Sequence, residues 1–251
     1  MSKLFDLSGR LALITGSSRG IGRAIAEGYI EAGARVIING RDAAAVAATV
    51  RALGANAVAA PFDATNRAIV ETAIGKIESD VGPIDILVNN AGMTKRMAFT
   101  DFPEEDWRAI LATNLDSVFF VTQSVARRMV PRSRGKIVNI CSVMSELGRA
   151  SIAPYTASKG AVKMLTKTMC AEWAKHGITA NGISPGYFGT ELNQALMADE
   201  KFAAWVCART PAGRWGKVEE LQGAAIFLAS DASSFVNGHI LFVDGGMTAV
   251  V

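Results

Sequence analysis

A tyrosine and a lysine stand four positions apart, Tyr155 and Lys159 in Tyr-Thr-Ala-Ser-Lys, a short way after Ser142. Together they offer a phenol that can pass a proton, a cation that can make the phenol more acidic and a hydroxyl that can hold a reacting oxygen. Residues four apart share one face of a helix, so a helix over 155–175 would bring phenol and ammonium toward one point. A tyrosine in water has a pKa of about 10. A nearby ammonium favours the phenolate and draws that value toward neutrality, where proton transfer is useful. Taken alone, the pair fits an exposed lysine beside a packed tyrosine equally well, so the rest of the chain must decide.

A second constellation lies near the amino terminus, Thr15-Gly16-Ser17-Ser18-Arg19-Gly20-Ile21-Gly22, between a strand-like run and a helical stretch. Glycines there permit a tight turn and close approach of the backbone to a pyrophosphate, and a helix amino end favours negative charge. The spacing G-x-x-x-G-x-G departs from the usual G-x-G-x-x-G, so its position between strand and helix carries the reading. A carboxylate ending the second strand would bind the adenosine ribose and select NAD. Here Val36-Ile37-Ile38-Asn39 ends in an amide, followed by Gly40-Arg41. Arg41 and Arg19 can both reach a 2′-phosphate. Asp42 lies near the generic acidic position, but an alanine-rich helical stretch follows it and N-capping suits it better. NADP(H) is therefore favoured, with NAD(H) open as the alternative.

The elements that would position these groups alternate regularly. Strands are expected at Leu11–Thr15, Arg35–Asn39, Asn56–Pro61, Ile84–Asn89, Gly135–Ile140, Thr179–Ser184 and His239–Val243. Helices are expected at Gly20–Ala32, Ala43–Leu53, Asn66–Val81, Glu104–Arg128 and Tyr155–Lys175. Nearly continuous Val/Ile/Leu runs suit strands covered on both faces. The expected fold class is α/β, a single doubly wound (Rossmann-type) domain over residues 1–251, with a mostly parallel seven-stranded sheet and helices on both faces. Pro185–Trp215 breaks the rhythm after a strand's carboxyl end, where open α/β sheets bind ligands. A covering segment at about 186–215 fits, as would a surface insertion without a role. Trp205 and Trp215 are expected to pack within that segment.

Composition narrows the function classes. Half of the 251 residues are hydrophobic and a fifth charged, which suits a globular core. A net charge of +3 with scattered basic residues gives no nucleic-acid face. Cys141, Cys170 and Cys207 suggest neither a disulfide framework nor a zinc site, and reduced thiols in the cytoplasm are expected. The start, Met-Ser-Lys-Leu-Phe-Asp-Leu-Ser-Gly, shows no apolar signal core, and no membrane association is expected. His176 and His239 are assigned no role.

Thr15–Gly22, Asn89-Asn90-Ala91-Gly92, Asn114, Ser142, Tyr155 with Lys159, and Pro185-Gly186, in this order, resemble the classical short-chain dehydrogenase/reductase family over essentially the whole chain. The resemblance implies the following. Ser142 holds the substrate oxygen, and Tyr155 gives or takes its proton. Lys159 lowers the Tyr155 pKa and holds the nicotinamide ribose. Asn114 interrupts its helix and holds a water linking Lys159 to solvent. Gly16, Ser18, Arg19, Gly20, Ile21, Gly22, Asn39 and Arg41 meet the phosphates and the adenosine ribose. Asp63 touches the adenine, and Asn90, Ala91 and Gly92 line its ribose. Pro185, Gly186, Phe188 and Thr190 meet the nicotinamide. No metal is implied, and a homotetramer is, through the helices at 104–128 and 155–175.

Ser145–Arg149, Arg209–Gly216 and Phe235–Gly238 resemble a sugar-acid branch of the family, which implies hydride transfer between NADP(H) and C5 of D-gluconate or 5-keto-D-gluconate. Met93-Thr94-Lys95-Arg96 differs from the Ile-Gln-Arg-Arg common in that branch. A polyol carboxylate needs cations and hydrogen-bonding groups, because its hydroxyls are costly to bury unpaired. Lys95 or Arg96 could pair the carboxylate, Glu146 could accept from hydroxyls, and Arg149 stands close by; each also suits a surface loop. A 3-oxoacyl thioester reductase on the same scaffold and a non-catalytic NADP(H)-sensing protein remain the alternatives.

Overall fold

The computed structural model describes residues 3–251. Its strands are β1 Leu11–Ile14, β2 Arg35–Ile38, β3 Ala57–Ala59, β4 Ile86–Asn89, β5 Gly135–Ile140, β6 Ile178–Pro185 and β7 Ile240–Val243. They form one sheet in the order β3-β2-β1-β4-β5-β6-β7. Every pairing is parallel, so the sheet lacks the antiparallel edge that "mostly parallel" allowed. Parallel strands need crossover connections, and helices supply them.

The helices are α1 Gly20–Glu31, α2 Ala43–Leu53, α3 Arg67–Asp80, α4 Glu104–Leu111, α5 Ser117–Arg132, α6 Ala153–Trp173, α7 Gln194–Met197, α8 Glu200–Arg209 and α9 Gln222–Ala229. Side chains alternate across each strand, so two cores form. On one face Ile14, Val36, Val88 and Ile140 pack on Ile25 and Tyr29 of α1 and Leu228 of α9. On the other Leu13, Ile37, Leu87 and Ile137 pack on Ile74 of α3, Val121 and Val125 of α5 and Val162 of α6. By length and composition alone, Glu104–Arg132 is long and apolar enough to cross a membrane. Half of that window is buried, with its valines spent on the sheet.

Most expected element ends shift by one or two residues, and two of the changes bear on the site. The stretch expected as one helix at Glu104–Arg128 is broken by a π-turn at Ala112–Asp116 and runs on to Arg132. The helix carrying Tyr155 starts at Ala153, with a proline in its first turn where the missing N–H costs nothing. Asp42 caps α2 by accepting from the N–H groups of Ala44 and Ala45, the role its sequence context suggested.

Candidate active site

The chain order reverses between β1 and β4, which lie side by side. At such a switch point the strand ends splay into a crevice. A cleft of about 1080 Å³ opens there, bounded by the Gly16–Ile21 turn, Asn90–Gly92, Ser142–Met144, Tyr155, Lys159 and the segment after Pro185.

The glycine turn is a cradle that side chains would fill. A Cβ on Gly16 would lie 2.9 Å from the Ala91 backbone, and one on Gly22 would lie 2.4 Å from Asn90 Nδ2. At Gly20, with φ +57°, a Cβ would meet nothing within 4 Å. Gly20 also begins α1, whose amino end carries no side-chain cap. Uncapped N–H groups beside open space suit a pyrophosphate, so the residues present fit a bound dinucleotide. Gly22 serves packing and does not face the cleft.

Two amides expected at the ribose are spent on scaffolding. Asn39 Oδ1 accepts from the Gly16 N–H at 3.3 Å, and its Nδ2 donates to the Ala60 and Phe62 carbonyls, both at 3.1 Å. Asn90 Nδ2 donates to the carbonyls of Thr15 and Gly16, both at 2.9 Å. Both residues still border the cleft, but the Asn39 amide oxygen and the Asn90 amide N–H groups hold the turn in place. The two candidate phosphate arginines differ. Arg19 Nη1 pairs with Glu191 Oε2 of the covering segment at 3.2 Å. Arg41 makes no hydrogen bond or ion pair among the described residues, and its charge acts on Asp63. Partial burial pushes the Asp63 carboxyl up, yet two hydrogen bonds from Thr65 and the Arg41 charge carry it below its ordinary value.

Ser142, Tyr155 and Lys159 converge on the cleft. Ser142 caps a short 3-10 turn at Val143–Ser145, and its Oγ accepts from the Met144 N–H at 3.1 Å. Ser145 Oγ ties that turn to α6 by donating to the Lys159 carbonyl at 3.1 Å. Burial pushes the Tyr155 phenol above its ordinary value, against the opposing hydrogen bond with Ser142. Lys159 is not among the groups that act on the phenol, so the expected lowering is absent and desolvation, which penalises the phenolate, prevails. Lys159 Nζ lies 5.8 Å from the Tyr155 ring centroid and donates to the Ile140 carbonyl at 2.6 Å. Burial lowers the Lys159 ammonium itself to about 8.

Asn114 is buried in the π-turn and stands outside the cleft wall. Its Oδ1 accepts from the Met93 N–H at 2.8 Å, and its Nδ2 donates to the Met93 carbonyl at 2.9 Å and Ser158 Oγ at 3.1 Å. A Cβ on Gly92 would lie 3.5 Å from Asn114 Oδ1 and 3.8 Å from Lys159 Nζ, so the amide and the ammonium flank one point.

The four candidates for substrate contacts separate into pairs. Lys95 is ion-paired with Asp106 and Glu146 with Lys163; neither faces the cleft. Arg96 and Arg149 do face it, and no carboxylate among the described residues pairs with either. Burial, with Arg149 nearby, holds the Arg96 guanidinium below its ordinary value. Arg149 Nη1 donates to Tyr187 Oη at 3.0 Å, and its guanidinium sits 5.1 Å from the Phe202 ring centroid. Tyr187 in turn packs edge-on against Phe202, Trp205 and Trp215 at centroid distances of 5.6, 6.1 and 5.5 Å. Both tryptophans thus pack the covering segment. Tyr187, Ile152 and Glu191 border the cleft and escaped sequence reasoning. The position of Tyr187 between Gly186 and Phe188 was the one signal for it.

Pro185, Gly186, Phe188 and Thr190 border the cleft where the covering segment departs. Among the described residues no group of three or more His, Cys, Asp or Glu could hold a metal ion.

A family model described as enoyl-(acyl carrier protein) reductase matches residues 16–248. Gluconate 5-dehydrogenase of Gluconobacter oxydans (strain 621H) is 56% identical over 248 residues, covering 98% of this chain and 97% of that protein. 5-Keto-D-gluconate 5-reductase of Escherichia coli (strain K12) is 55% identical over 254 residues, covering both chains fully at 100%. Among solved structures, a gluconate 5-dehydrogenase from Burkholderia cenocepacia J2315 in complex with NADP and tartrate is 57% identical, with a TM-score of 0.97 and 99% of each chain covered. With a phosphate-cradling turn at the switch point and Ser142, Tyr155 and Lys159 around one cleft, the chain belongs to the short-chain dehydrogenase/reductase family.

Proposed function

We propose that the protein is an NADP(H)-dependent oxidoreductase that interconverts D-gluconate and 5-keto-D-gluconate. The observation that carries this reading is the convergence of Ser142, Tyr155 and Lys159 on a cleft that is also lined by two cations, Arg96 and Arg149, without carboxylate partners among the described residues. Relatives whose names specify this reaction support it at 55–56% identity, and a relative at 57% identity holds NADP and tartrate, a hydroxy acid.

NADP(H), when bound, supplies or accepts the hydride at C5. The protein's share is positioning and proton transfer. Ser142 Oγ hydrogen-bonds the C5 oxygen. In reduction Tyr155 donates its phenolic proton to that oxygen, and in oxidation it takes the proton back. Burial keeps the phenol protonated, the form required for donation. Lys159 places a positive charge near the developing phenolate, and Asn114 holds the Met93 backbone beside it. Arg96 and Arg149 bind the C1 carboxylate, which orients the sugar chain toward Tyr155. The Gly16–Ile21 turn receives the pyrophosphate, and Arg41 and Arg19 the 2′-phosphate, with Glu191 released from Arg19. Residues 186–215 act as the cover.

A homotetramer is proposed through α4, α5 and α6. Phe119 and Met164 lie exposed on α5 and α6, and a Cβ on Gly160 would meet nothing within 4 Å. Light scattering on a Met164→Glu variant, expected to yield smaller species, tests that interface. The cytoplasm is the proposed compartment, in keeping with three free cysteines.

A substrate panel with NADPH and NADH tests the activity. Turnover of 5-keto-D-gluconate with NADPH is expected, and turnover of an acetoacetyl thioester alone would overturn the reading.

A further inference from the structure

Behind the cleft wall lies a small apolar cluster that the chemistry above does not use. Val143, Met144, Ile152 and Met247 form it, all buried, with Tyr155 and Tyr187 packed against them. All of these except Met247 also face the cleft. Met247 is 1% exposed and reaches the cluster from the far end of the chain.

The turn after β7 delivers it. Asp244 Oδ1 accepts from the Gly246 N–H at 2.9 Å, and Oδ2 accepts from the Thr248 N–H at 2.8 Å and its hydroxyl at 2.6 Å. Gly245 and Gly246 have φ of +65° and +90°. Their missing side chains allow close packing: a Cβ would lie 2.8 Å from Thr210 Cγ2 at Gly245 and 3.1 Å from Pro211 Cγ at Gly246. A Cβ on Gly186 would lie 2.8 Å from Asp244 Cα, and the Ala212 N–H donates to the Gly245 carbonyl at 3.0 Å. One turn therefore grips the covering segment where it leaves the sheet and where it returns.

We infer that Met247 is a positioning residue for the proton-transfer step, fixing the Tyr155 ring and the Val143–Ile152 loop from behind without lining the cleft. The inference rests on Tyr155 as the proton donor. The two main cores each join residues from many elements. This cluster has four buried members, three of them within 143–152, so the loss of one is felt at that loop. A thioether fills such an irregular gap, and a void there would strip contacts from the tyrosine. The charged and titratable groups acting on Tyr155 are Cys141, Arg149 and Tyr187, and the Lys159 ammonium lies 5.8 Å from its ring centroid. Met247 adds no charge, so its effect on the phenol runs through packing and exclusion of water.

The test compares Met247→Ala, Met247→Leu and Tyr155→Phe. Met247→Ala is expected to lower kcat by about tenfold or more, since misplacement of a reacting group by ~1 Å can cost ~100-fold. It should also move the Tyr155 limb of the pH profile downward as water reaches the ring, while the NADPH dissociation constant stays within about twofold. Met247→Leu should restore most of kcat and the pH limb. A wild-type kcat and pH profile in Met247→Ala, equal damage in Met247→Leu, or loss of NADPH binding in step with kcat would each overturn the assignment. Full turnover by Tyr155→Phe would instead overturn the proton-donor reading, whatever Met247→Ala does.

Discussion

Lys159 donates from Nζ to the main-chain carbonyl of Ile140 at 2.6 Å, joining α6 to the last residue of β5. That bond fixes the ammonium two residues before Ser142 in the chain. It also leaves a buried cation without a carboxylate partner, which costs the fold stability.

The cost is pH-dependent. Burial depresses the Lys159 pKa from 10.5 to about 8, so between those values the unfolded chain binds more protons than the folded one. Stability from this group therefore rises with pH across that window and is flat below it. Lys159→Met removes the titration. Relative to this variant, the wild type should gain up to roughly 3 kcal/mol as pH rises from about 8 to about 10.5, at ~1.36 kcal/mol per unit. Urea denaturation of both proteins across that range measures the difference; a constant gap would contradict the assignment.

Tyr155→Phe keeps the ring and removes the proton. Turnover should fall by at least about 100-fold, the scale of general acid catalysis, with NADPH affinity preserved. Stopped-flow turnover and a fluorescence titration of NADPH separate the two effects.

Arg41 lines the cleft without an ion pair among the described residues, whereas Arg19 pairs with Glu191. Arg41→Ala should weaken NADPH by about tenfold or more, as loss of a charge-assisted hydrogen bond does, and leave NADH nearly unchanged. Equal losses for both cofactors would remove Arg41 from the 2′-phosphate site.

Arg96 and Lys95 are neighbours with opposite fates. Arg96→Ala should raise KM for D-gluconate by about tenfold or more, because the carboxylate loses a cation in the cleft wall. Lys95→Ala, which breaks only an ion pair with Asp106 outside the cleft, should change KM by less than about twofold. Initial-rate measurements on both variants decide; a larger effect at Lys95 would reverse the assignment.

Much of the scaffold could be read along the chain. All seven strands register as local apolar runs, the five expected helical stretches hold six of the helices, and Asp42 reads as a cap because its partners lie within three residues. The family resemblance implied the interruption at Asn114, but the π-turn has no signature in periodicity, since a single extra residue in a helix leaves the apolar pattern on both sides intact. The split between Arg96 and Lys95, or between Arg149 and Glu146, could not be read either. Adjacent charges on a loop look alike until Asp106 and Lys163 arrive from α4 and α6 to neutralise one of each pair.

The sequence by itself determined the kind of chemistry: a phenol, an ammonium and a hydroxyl at fixed spacing, and a glycine turn between a strand and a helix. Those features depend on neighbours a few residues away, and local geometry carries them. Tertiary structure alone decided which cations face the cleft, that burial raises the Tyr155 phenol, and that Met247 joins the apolar cluster of Val143, Met144 and Ile152. Charge pairing, desolvation and packing are set by distance in space, and residues far apart in the chain supply them.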